Sequence, residues 1–84
     1  MKLSIIIPCY NEEATIIKII SKINQQTDIS KELIVVDDYS TDKTRLILEN
    51  DLKKEVDTVI LNSKNFGKGY SIRKASKQRQ VTLY

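Results

Sequence analysis

Residues 33–40 read LIVVDDYS, and residues 5–13 read IIIPCYNEE. Each stretch is an apolar run that switches abruptly to polar residues, and a helix-type sequence follows at once. Runs that are apolar on both faces are typical of strands in a parallel sheet that is covered on both sides. In open sheets of that kind, ligands bind just beyond the carboxyl ends of the strands. We therefore expect the polar residues at these two strand ends to hold a ligand, with a nucleotide as the expected class.

The rest of the chain alternates in the same way. Isoleucines recur at helical spacing after the first strand, and Asn11 is a candidate cap for the helix that they form. The pattern predicts an α/β fold with a mainly parallel sheet. Strand patterns cover residues 3–9, 32–37, 56–61 and 81–84, and helical patterns cover residues 13–23, 40–53 and 68–77.

Composition limits the class of protein. The chain has 84 residues, 40% of them hydrophobic and 30% charged, which describes one soluble globular unit near the lower end of domain sizes. No apolar run approaches the roughly 20 residues that span a bilayer, and the start lacks the features of a secretory signal, so we expect a cytoplasmic location. One cysteine and no histidine exclude an internal disulfide and the usual zinc sites. We expect Cys9 to be a buried filler rather than a nucleophile.

Charge is distributed unevenly along the chain. Residues 1–57 hold all 11 acidic residues and eight basic ones, whereas residues 58–84 hold six basic residues and no acidic one. A basic end suits phosphates, nucleic acid or an acidic membrane surface, and the alternative is a solvated helix face. Phe66 and Tyr70 are the aromatic residues interleaved with these basic ones, which is weak support for stacking on single strands. We expect no nucleic-acid partner.

The side chains at the two strand ends suit a nucleoside. Tyr10 offers an aromatic face on which a base stacks. Asp38 offers a carboxylate that accepts from a ring N–H, and Glu12 offers an acceptor for a ribose hydroxyl. The two strands are joined by a helix and are expected to be neighbours, so their loops would share one crevice.

Helix capping is the alternative role for most of the polar residues at the strand ends, because acids favour helix amino termini. We expect this role for Glu13 and Asp42, and it stays open for Asn11 and Glu12. Asp37 is expected to serve the structure, because strand alternation points it away from the crevice.

An ordered set of motifs spans the chain, at residues 4–13 (SIIIPCYNEE), 32–44 (ELIVVDDYSTDKT) and 65–69 (NFGKG). Together these motifs resemble the start of inverting family 2 glycosyltransferases, the GT-A group that includes dolichyl- and polyprenyl-phosphate mannose or glucose synthases. The resemblance implies a Rossmann-like, three-layer α/β sandwich whose strands lie in the order 3-2-1-4. It also implies that residues 1–84 are a single partial domain, the nucleotide-sugar-binding half of a longer catalytic domain.

The resemblance assigns roles at the strand ends and in the last motif. Lys68 would lie near the diphosphate, where backbone N–H groups and a cation suit an anion. The ligand implied is a UDP- or GDP-sugar. The nucleoside pocket would be lined by Pro8, Tyr10, Glu12, Val36 and Asp38.

The family uses further elements that follow this part of the domain. A divalent metal, Mg²⁺ or Mn²⁺, is held there by an Asp-x-Asp motif after the fourth strand, and the general base for the acceptor comes later. This chain ends at Tyr84 before either element. We therefore expect no catalytic residue, no bound metal and no turnover by this chain alone. The full-length parent would transfer sugar to a polyprenyl phosphate or a glycan, with a location at the membrane face.

Other functions stay open at the level of sequence. A non-catalytic nucleotide-binding or self-associating remnant would expose the strand that begins at Val81 as an edge, where pairing with a second copy gives a homodimer. Nucleic-acid binding through the basic end is another function. A receiver domain is disfavoured, because its acidic pair follows the first strand, whereas the pair of this chain follows the second.

Overall fold

The computed structural model describes residues 3–26, 30–67 and 81–83. Strands and helices alternate in these ranges, as the sequence pattern predicts. The second helix begins as an α-helix and continues as a π-helical segment. The elements are β1 (Leu3–Cys9), α1 (Ile16–Asn24), β2 (Lys31–Asp37), α2 (Thr44–Leu46) with its π-helical continuation (Ile47–Asp51), β3 (Thr58–Leu61) and β4 (Val81–Leu83).

The strands form one sheet in the order β3-β2-β1-β4, and each neighbouring pair is parallel. This Rossmann-like α/β arrangement confirms the predicted fold class and strand order. The chain moves outward from β1 through β2 to β3, whereas β4 lies on the other side of β1. The direction of winding therefore reverses at β1, and in open α/β sheets the crevice at such a reversal is where ligands bind.

Both faces of the sheet are buried. On one face, α1 and the second helix cover the sheet, and Ile20 and Leu48 pack in the same core cluster as Val35. On the other face, Ile34 and Val36 pack with Ile6. The continuous apolar runs of β1 and β2 follow from this double burial. The helix predicted over residues 68–77, which would form the third layer, lies outside the described residues.

Helix α1 begins at Ile16, three residues later than the sequence predicts. The residues before it form a turn in which the carbonyl oxygen of Glu12 accepts from the N–H groups of Thr15 and Ile16, at 3.0 and 2.9 Å. The predicted apolar stripe of Ile16, Ile17, Ile19, Ile20 and Ile23 is confirmed in part. Ile16, Ile20 and Ile23 are buried against the sheet and Ile19 is partly buried, whereas Ile17 is 47% exposed.

The second helical region is also shorter than predicted, because residues 40–43 belong to a loop rather than to the helix. Its last turn widens where the N–H of Leu52 donates to the carbonyl of Ile47 at 2.9 Å, a bond that spans five residues. Strand β3 begins at Thr58 rather than at residue 56. Asp57 precedes it, and its carboxylate accepts from the N–H of Leu33 at 2.7 Å, so a side chain takes the place of a backbone partner there.

Candidate functional site

One sheet face collects four of the predicted pocket residues at the carboxyl ends of β1 and β2. Pro8 and Val36 are register partners, and Cys9 and Asp37 form the next pair. Successive side chains of a strand point to opposite faces. Tyr10 and Asp38 therefore continue the face of Pro8 and Val36, which is the face opposite the two helices.

These residues differ in how much surface they present. Val36 is fully buried and Asp38 is 6% exposed, whereas Tyr10 is 47% exposed. Pro8 is half-buried. Tyr10 thus presents its ring at the surface, whereas the side chains of Pro8, Val36 and Asp38 are buried or half-buried.

The carboxylate of Asp38 organises the loop that follows β3. One of its oxygens accepts from the side-chain amide of Asn62 at 3.0 Å and from the N–H of Phe66 at 2.8 Å. The other oxygen accepts from the N–H of Gly67 at 2.8 Å. The backbone oxygen of Asp38 accepts from the side chain of Asn65 at 3.3 Å. Gly67 has φ of 92°, a conformation that glycine adopts without strain.

The charged form of Asp38 is favoured by these donors. Burial raises the pKa of this carboxyl, but the hydrogen bonds from Phe66, Asn62 and Gly67 outweigh burial, and the pKa lies below its ordinary value of 3.8. Asp38 is therefore an anion at neutral pH, with its charge fixed at the carboxyl end of β2.

Asp37 points to the opposite face and serves the structure, as alternation predicts. It is fully buried and pairs with the guanidinium of Arg45 at 2.6 Å. The N–H of Ser40 donates to the same carboxylate at 3.0 Å, and the hydroxyl of Ser40 donates to its other oxygen. Arg45 also donates to the carbonyl of Asn62, so this residue links α2 to the ends of β2 and β3.

Cys9 lies beside Asp37 and is buried, in agreement with its predicted role as a filler. Its thiol donates to the Asp37 carboxylate at 3.7 Å. Burial, followed by the charge of Asp37 and this hydrogen bond, raises the pKa of the Cys9 thiol. The thiol therefore stays protonated and is a poor nucleophile.

Asn11 corrects a prediction, because it does not cap α1. Its backbone is left-handed, with φ of 53°, and its side-chain oxygen accepts from the N–H groups of Thr41 and Asp42 at 2.8 and 3.3 Å. Its own N–H donates to the hydroxyl of Ser40 at 2.9 Å. The loop after β1 is thus joined to the loop after β2, because the strand ends are adjacent.

The acids near these loops have separate roles. The side chain of Glu12 accepts from the hydroxyl of Thr15 at 2.8 Å, and its N–H donates to the hydroxyl of Thr44 at 2.9 Å. Asp42 accepts from the N–H of Thr44 at 2.9 Å, which supports its predicted capping role. Burial raises the pKa of Asp42, but hydrogen bonds from Thr44 and from the N–H of Glu13 outweigh burial and lower it. The hydrogen bond from Thr15 places the carboxylate of Glu12 beside the start of α1.

Sequence reasoning missed Arg45, Asn62 and Asn65 as residues that build the site. Arg45 is the second residue of α2, and its position eight residues after Asp37 was the available signal. Asn62 and Asn65 lie in the loop after β3, and their partner Asp38 is distant in sequence. Lys68, the predicted diphosphate residue, lies outside the described residues.

No group of three or more His, Cys, Asp or Glu side chains converges as a metal site within residues 3–26, 30–67 and 81–83. The buried acids at the strand ends, Asp37 and Asp38, point to opposite faces and are each occupied by hydrogen-bond donors. The described residues therefore do not fit a divalent metal.

In the same ranges, no helix is long and apolar enough to cross a bilayer.

Comparison with known proteins identifies the family. The model of the family described as Glycosyl transferase family 2 matches residues 4–80. An uncharacterized glycosyltransferase from Haemophilus influenzae is 42% identical over 77% of this chain and 21% of its own length. The poly(ribitol-phosphate) β-N-acetylglucosaminyltransferase TarS from Staphylococcus aureus is 34% identical over 100% of this chain and 16% of its own length.

Solved structures agree with the sequence relatives. The crystal structure of S. aureus TarS 1-349 in complex with UDP-GlcNAc superposes with a TM-score of 0.83 at 33% identity, over 99% of this chain and 26% of that chain. The mannosyltransferase PcManGT from Pyrobaculum calidifontis, in complex with GDP-Man and Mn²⁺, superposes with a TM-score of 0.75 at 25% identity, over 87% of this chain and 23% of that chain.

The chain spans between 16% and 31% of the length of the curated relatives to which it is similar. The family model covers nearly all of it, and its fold is that of the GT-A glycosyltransferase structures it resembles. The strand-end motifs, the strand order and the reversal at β1 are all accounted for by one assignment: this chain belongs to glycosyl transferase family 2.

Proposed function

We propose that this chain forms the nucleotide-binding half of a glycosyltransferase domain, and that it binds the nucleotide of a nucleotide-sugar donor for inverting transfer. One observation carries the proposal. Pro8, Tyr10, Val36 and Asp38 lie on the same sheet face, at the strand ends beside the reversal of winding. The complexes of similar proteins with UDP-GlcNAc and GDP-Man support a nucleotide-sugar as the ligand class.

The proposed roles follow from exposure and charge. Tyr10 presents the exposed ring on which the base stacks. Asp38 presents a fixed anionic acceptor for a ring N–H. Pro8 and Val36 are proposed to form the apolar floor, and Glu12 is proposed to accept from a ribose hydroxyl. Lys68 is proposed to meet the diphosphate.

In inverting transfer, an acceptor oxygen attacks the anomeric carbon while the bond from that carbon to the diphosphate breaks. A base takes the proton of the acceptor, and a metal or cations stabilise the departing diphosphate. The described residues present no metal cluster, and the carboxylate of Asp38 already accepts from three donors. We propose that both belong to other parts of a longer enzyme, and that this chain alone binds nucleotide without turning it over.

The acceptor of the sugar in the parent enzyme is proposed to be a phosphate-bearing molecule or a glycan. The resemblance to polyprenyl-phosphate sugar synthases favours a polyprenyl phosphate, and the similarity to TarS favours a glycan or polyol phosphate polymer. Both acceptors are consistent with a parent enzyme that works at the membrane face. Divalent metal in that parent is supported by the Mn²⁺ complex of PcManGT.

The test is calorimetric titration of the purified chain with UDP and GDP. Tyr10→Ala is expected to weaken binding about tenfold, because stacking of a base on an aromatic ring contributes about 1–3 kcal/mol. Tyr39→Ala is the matched control, since both tyrosines are 47% exposed and the Tyr39 ring lies against Arg45 on the helix side. Equal loss in both variants, or no binding by the unmodified chain, would contradict the proposal.

The alternative function is a non-catalytic module that binds nucleotide or associates with itself. It is favoured by the position of β4 at one end of the strand order, where a further strand has room to pair. Nucleotide binding without any transferase activity in the full-length parent would distinguish this alternative from the main proposal.

A further inference from the structure

We propose that Asn11 is a positioning residue of the nucleotide site. It ties the loop that carries Tyr10 to the loop that follows Asp38, and so sets the distance between the stacking ring and the acceptor carboxylate. This inference rests on the proposed function, because it concerns the geometry of that same pocket. Asn11 acts through its neighbours and is not proposed to touch the nucleotide.

The two loops need such a connection because the strand ladder stops before them. The register of β1 and β2 ends at the pair Cys9 and Asp37. One further backbone bond, from the N–H of Asp38 to the carbonyl of Cys9 at 2.9 Å, extends the pairing. Beyond it the chains diverge into separate loops, and Tyr10 and Asp38 lie at the point of divergence.

Asn11 supplies the central contacts across this gap. Its side-chain oxygen accepts from the N–H of Thr41 at 2.8 Å and from the N–H of Asp42 at 3.3 Å. The Thr41 hydroxyl lies 3.4 Å from the same oxygen, and the Asn11 N–H donates to the Ser40 hydroxyl at 2.9 Å. Asn11 is adjacent to Tyr10 in the chain, so these bonds fix the backbone that carries the ring.

Side chains of the second loop complete the bridge. The N–H of Glu12 donates to the Thr44 hydroxyl at 2.9 Å, and the N–H of Glu13 donates to the Asp42 carboxylate at 3.3 Å. The three consecutive N–H groups from Asn11 to Glu13 thus donate hydrogen bonds to side chains within residues 40–44. Asn11 is the one residue of its loop whose side chain accepts in return.

The left-handed backbone of Asn11 allows a sharp test. Asparagine, aspartate and glycine all tolerate this conformation, and glycine tolerates it best. Asn11→Gly keeps the turn and removes the acceptor oxygen. Asn11→Asp keeps both the turn and an acceptor at the same position. If only the backbone mattered, glycine would replace Asn11 without loss.

The experiment titrates the chain and its variants with UDP and, in parallel, measures the thermal midpoint and the hydrogen exchange of the Thr41 and Asp42 amides. Asn11→Gly is expected to bind UDP about tenfold more weakly and to lose protection at both amides, because about one to two net hydrogen bonds are lost. Asn11→Asp is expected to stay within about threefold of the unmodified chain.

Asn50→Gly is the matched control, because Asn50 is an exposed asparagine in the second helical region, away from both loops. It is expected to lower the thermal midpoint without changing UDP affinity, which separates stability from positioning. Binding by Asn11→Gly that equals that of the unmodified chain would overturn the proposal, and so would equal losses in Asn11→Gly and Asn11→Asp. If the unmodified chain binds neither UDP nor GDP, the proposed function fails and this role fails with it. Protection of the Thr41 and Asp42 amides from hydrogen exchange would then show that the hydrogen bonds between the two loops are intact all the same.

Discussion

At the scale of single residues, Asp38 shows how a buried carboxylate is kept charged. Burial in an apolar surrounding favours the neutral acid, and an uncompensated anion in such a place is costly. Here the donors from Asn62, Phe66 and Gly67 reverse that preference. The same contacts hold the loop after β3 against β2, so Asp38 combines a structural role with the proposed ligand contact.

The first prediction concerns pH. Because the pKa of Asp38 is lower in the folded chain than in the unfolded chain, its contribution to stability is complete at neutral pH and is lost as the pH falls through the unfolded and then the folded value. Asp38→Asn is expected to reduce the free energy of unfolding by about 1–3 kcal/mol at about pH 6, because Gly67 loses its acceptor. Urea unfolding at about pH 6 and about pH 3 measures the difference.

The variant should lose less stability on acidification than the unmodified chain. Asp42, whose pKa is also lowered, remains in the variant and keeps part of the acid sensitivity. An identical dependence on pH in the two proteins would show that Asp38 is not held in its charged form by the fold.

The second prediction concerns the base. A carboxylate has about four acceptor positions, and donors from Asn62, Phe66 and Gly67 already occupy three of those of Asp38. Uracil presents a single ring N–H, whereas guanine presents two adjacent donors that call for both oxygens. UDP is therefore expected to bind about tenfold more tightly than GDP in the calorimetric titration. Tighter binding of GDP would contradict this account and leave the nucleotide site itself in place.

At the scale of elements, the two helices are attached to the sheet by different means. Helix α1 buries the stripe formed by Ile16, Ile20 and Ile23. The second helical region is short, and Arg45 adds a polar attachment to it through Asp37 and the carbonyl of Asn62. The ion pair is partly screened, because the side chain of Arg45 is 28% exposed while that of Asp37 is fully buried.

The third prediction tests this attachment. Arg45→Met keeps most of the apolar stem of the side chain and removes the guanidinium. Of the donors to Asp37 described above, those of Ser40 and Cys9 then remain. The free energy of unfolding is expected to fall by about 1–3 kcal/mol in urea titrations. Leu46→Ala, at a neighbouring position that is 61% exposed, is the control and should change stability by less than about 0.5 kcal/mol. Similar effects of the two substitutions would rule out a special role for Arg45.

At the scale of the whole molecule, the face proposed to bind nucleotide lies at the carboxyl ends of parallel strands. Residues 3–26, 30–67 and 81–83 contain no metal cluster. Its curated relatives are several times longer than the part that matches. Nucleoside recognition and metal chemistry are therefore proposed to be separable in this chain.

The fourth prediction follows from that separation. The affinity for UDP is expected to be the same, within about twofold, with and without Mn²⁺, because the described acids are held by hydrogen-bond donors rather than aimed at one point. Calorimetry in the presence of chelator and of Mn²⁺ measures this. A strong requirement for the metal would mean that residues outside the described ranges, or the nucleotide itself, complete a metal site.

The fifth prediction concerns association. Among the described residues, strand β4 ends the strand order, and an unpaired edge of a sheet is a template for another strand. We expect a concentration-dependent homodimer in sedimentation experiments. Proline placed at a position of β4 whose N–H points away from β1 should abolish dimerisation if the outer edge of β4 forms the interface, because proline cannot donate to a strand ladder. A monomer at all concentrations would exclude this mode of association.

Much of this protein was determined by local sequence alone. The apolar runs before Pro8 and Asp37 predicted strands that are buried on both faces, because only such strands are apolar on both sides. Alternation was sufficient to predict that Asp37 serves the structure, because side chains of a strand have a period of two. Resemblance to a known family added the strand order, which local patterns do not contain.

Tertiary structure decided the features that depend on residues distant in sequence. The helices start later than predicted because the N–H groups of residues 11–13 are satisfied by side chains of residues 40–44, and no local pattern encodes that pairing. For the same reason Asn11 bridges two loops instead of capping a helix. The charge of Asp38 depends on the N–H groups of Phe66 and Gly67, which lie 28 and 29 residues away and come close only because β3 pairs with β2.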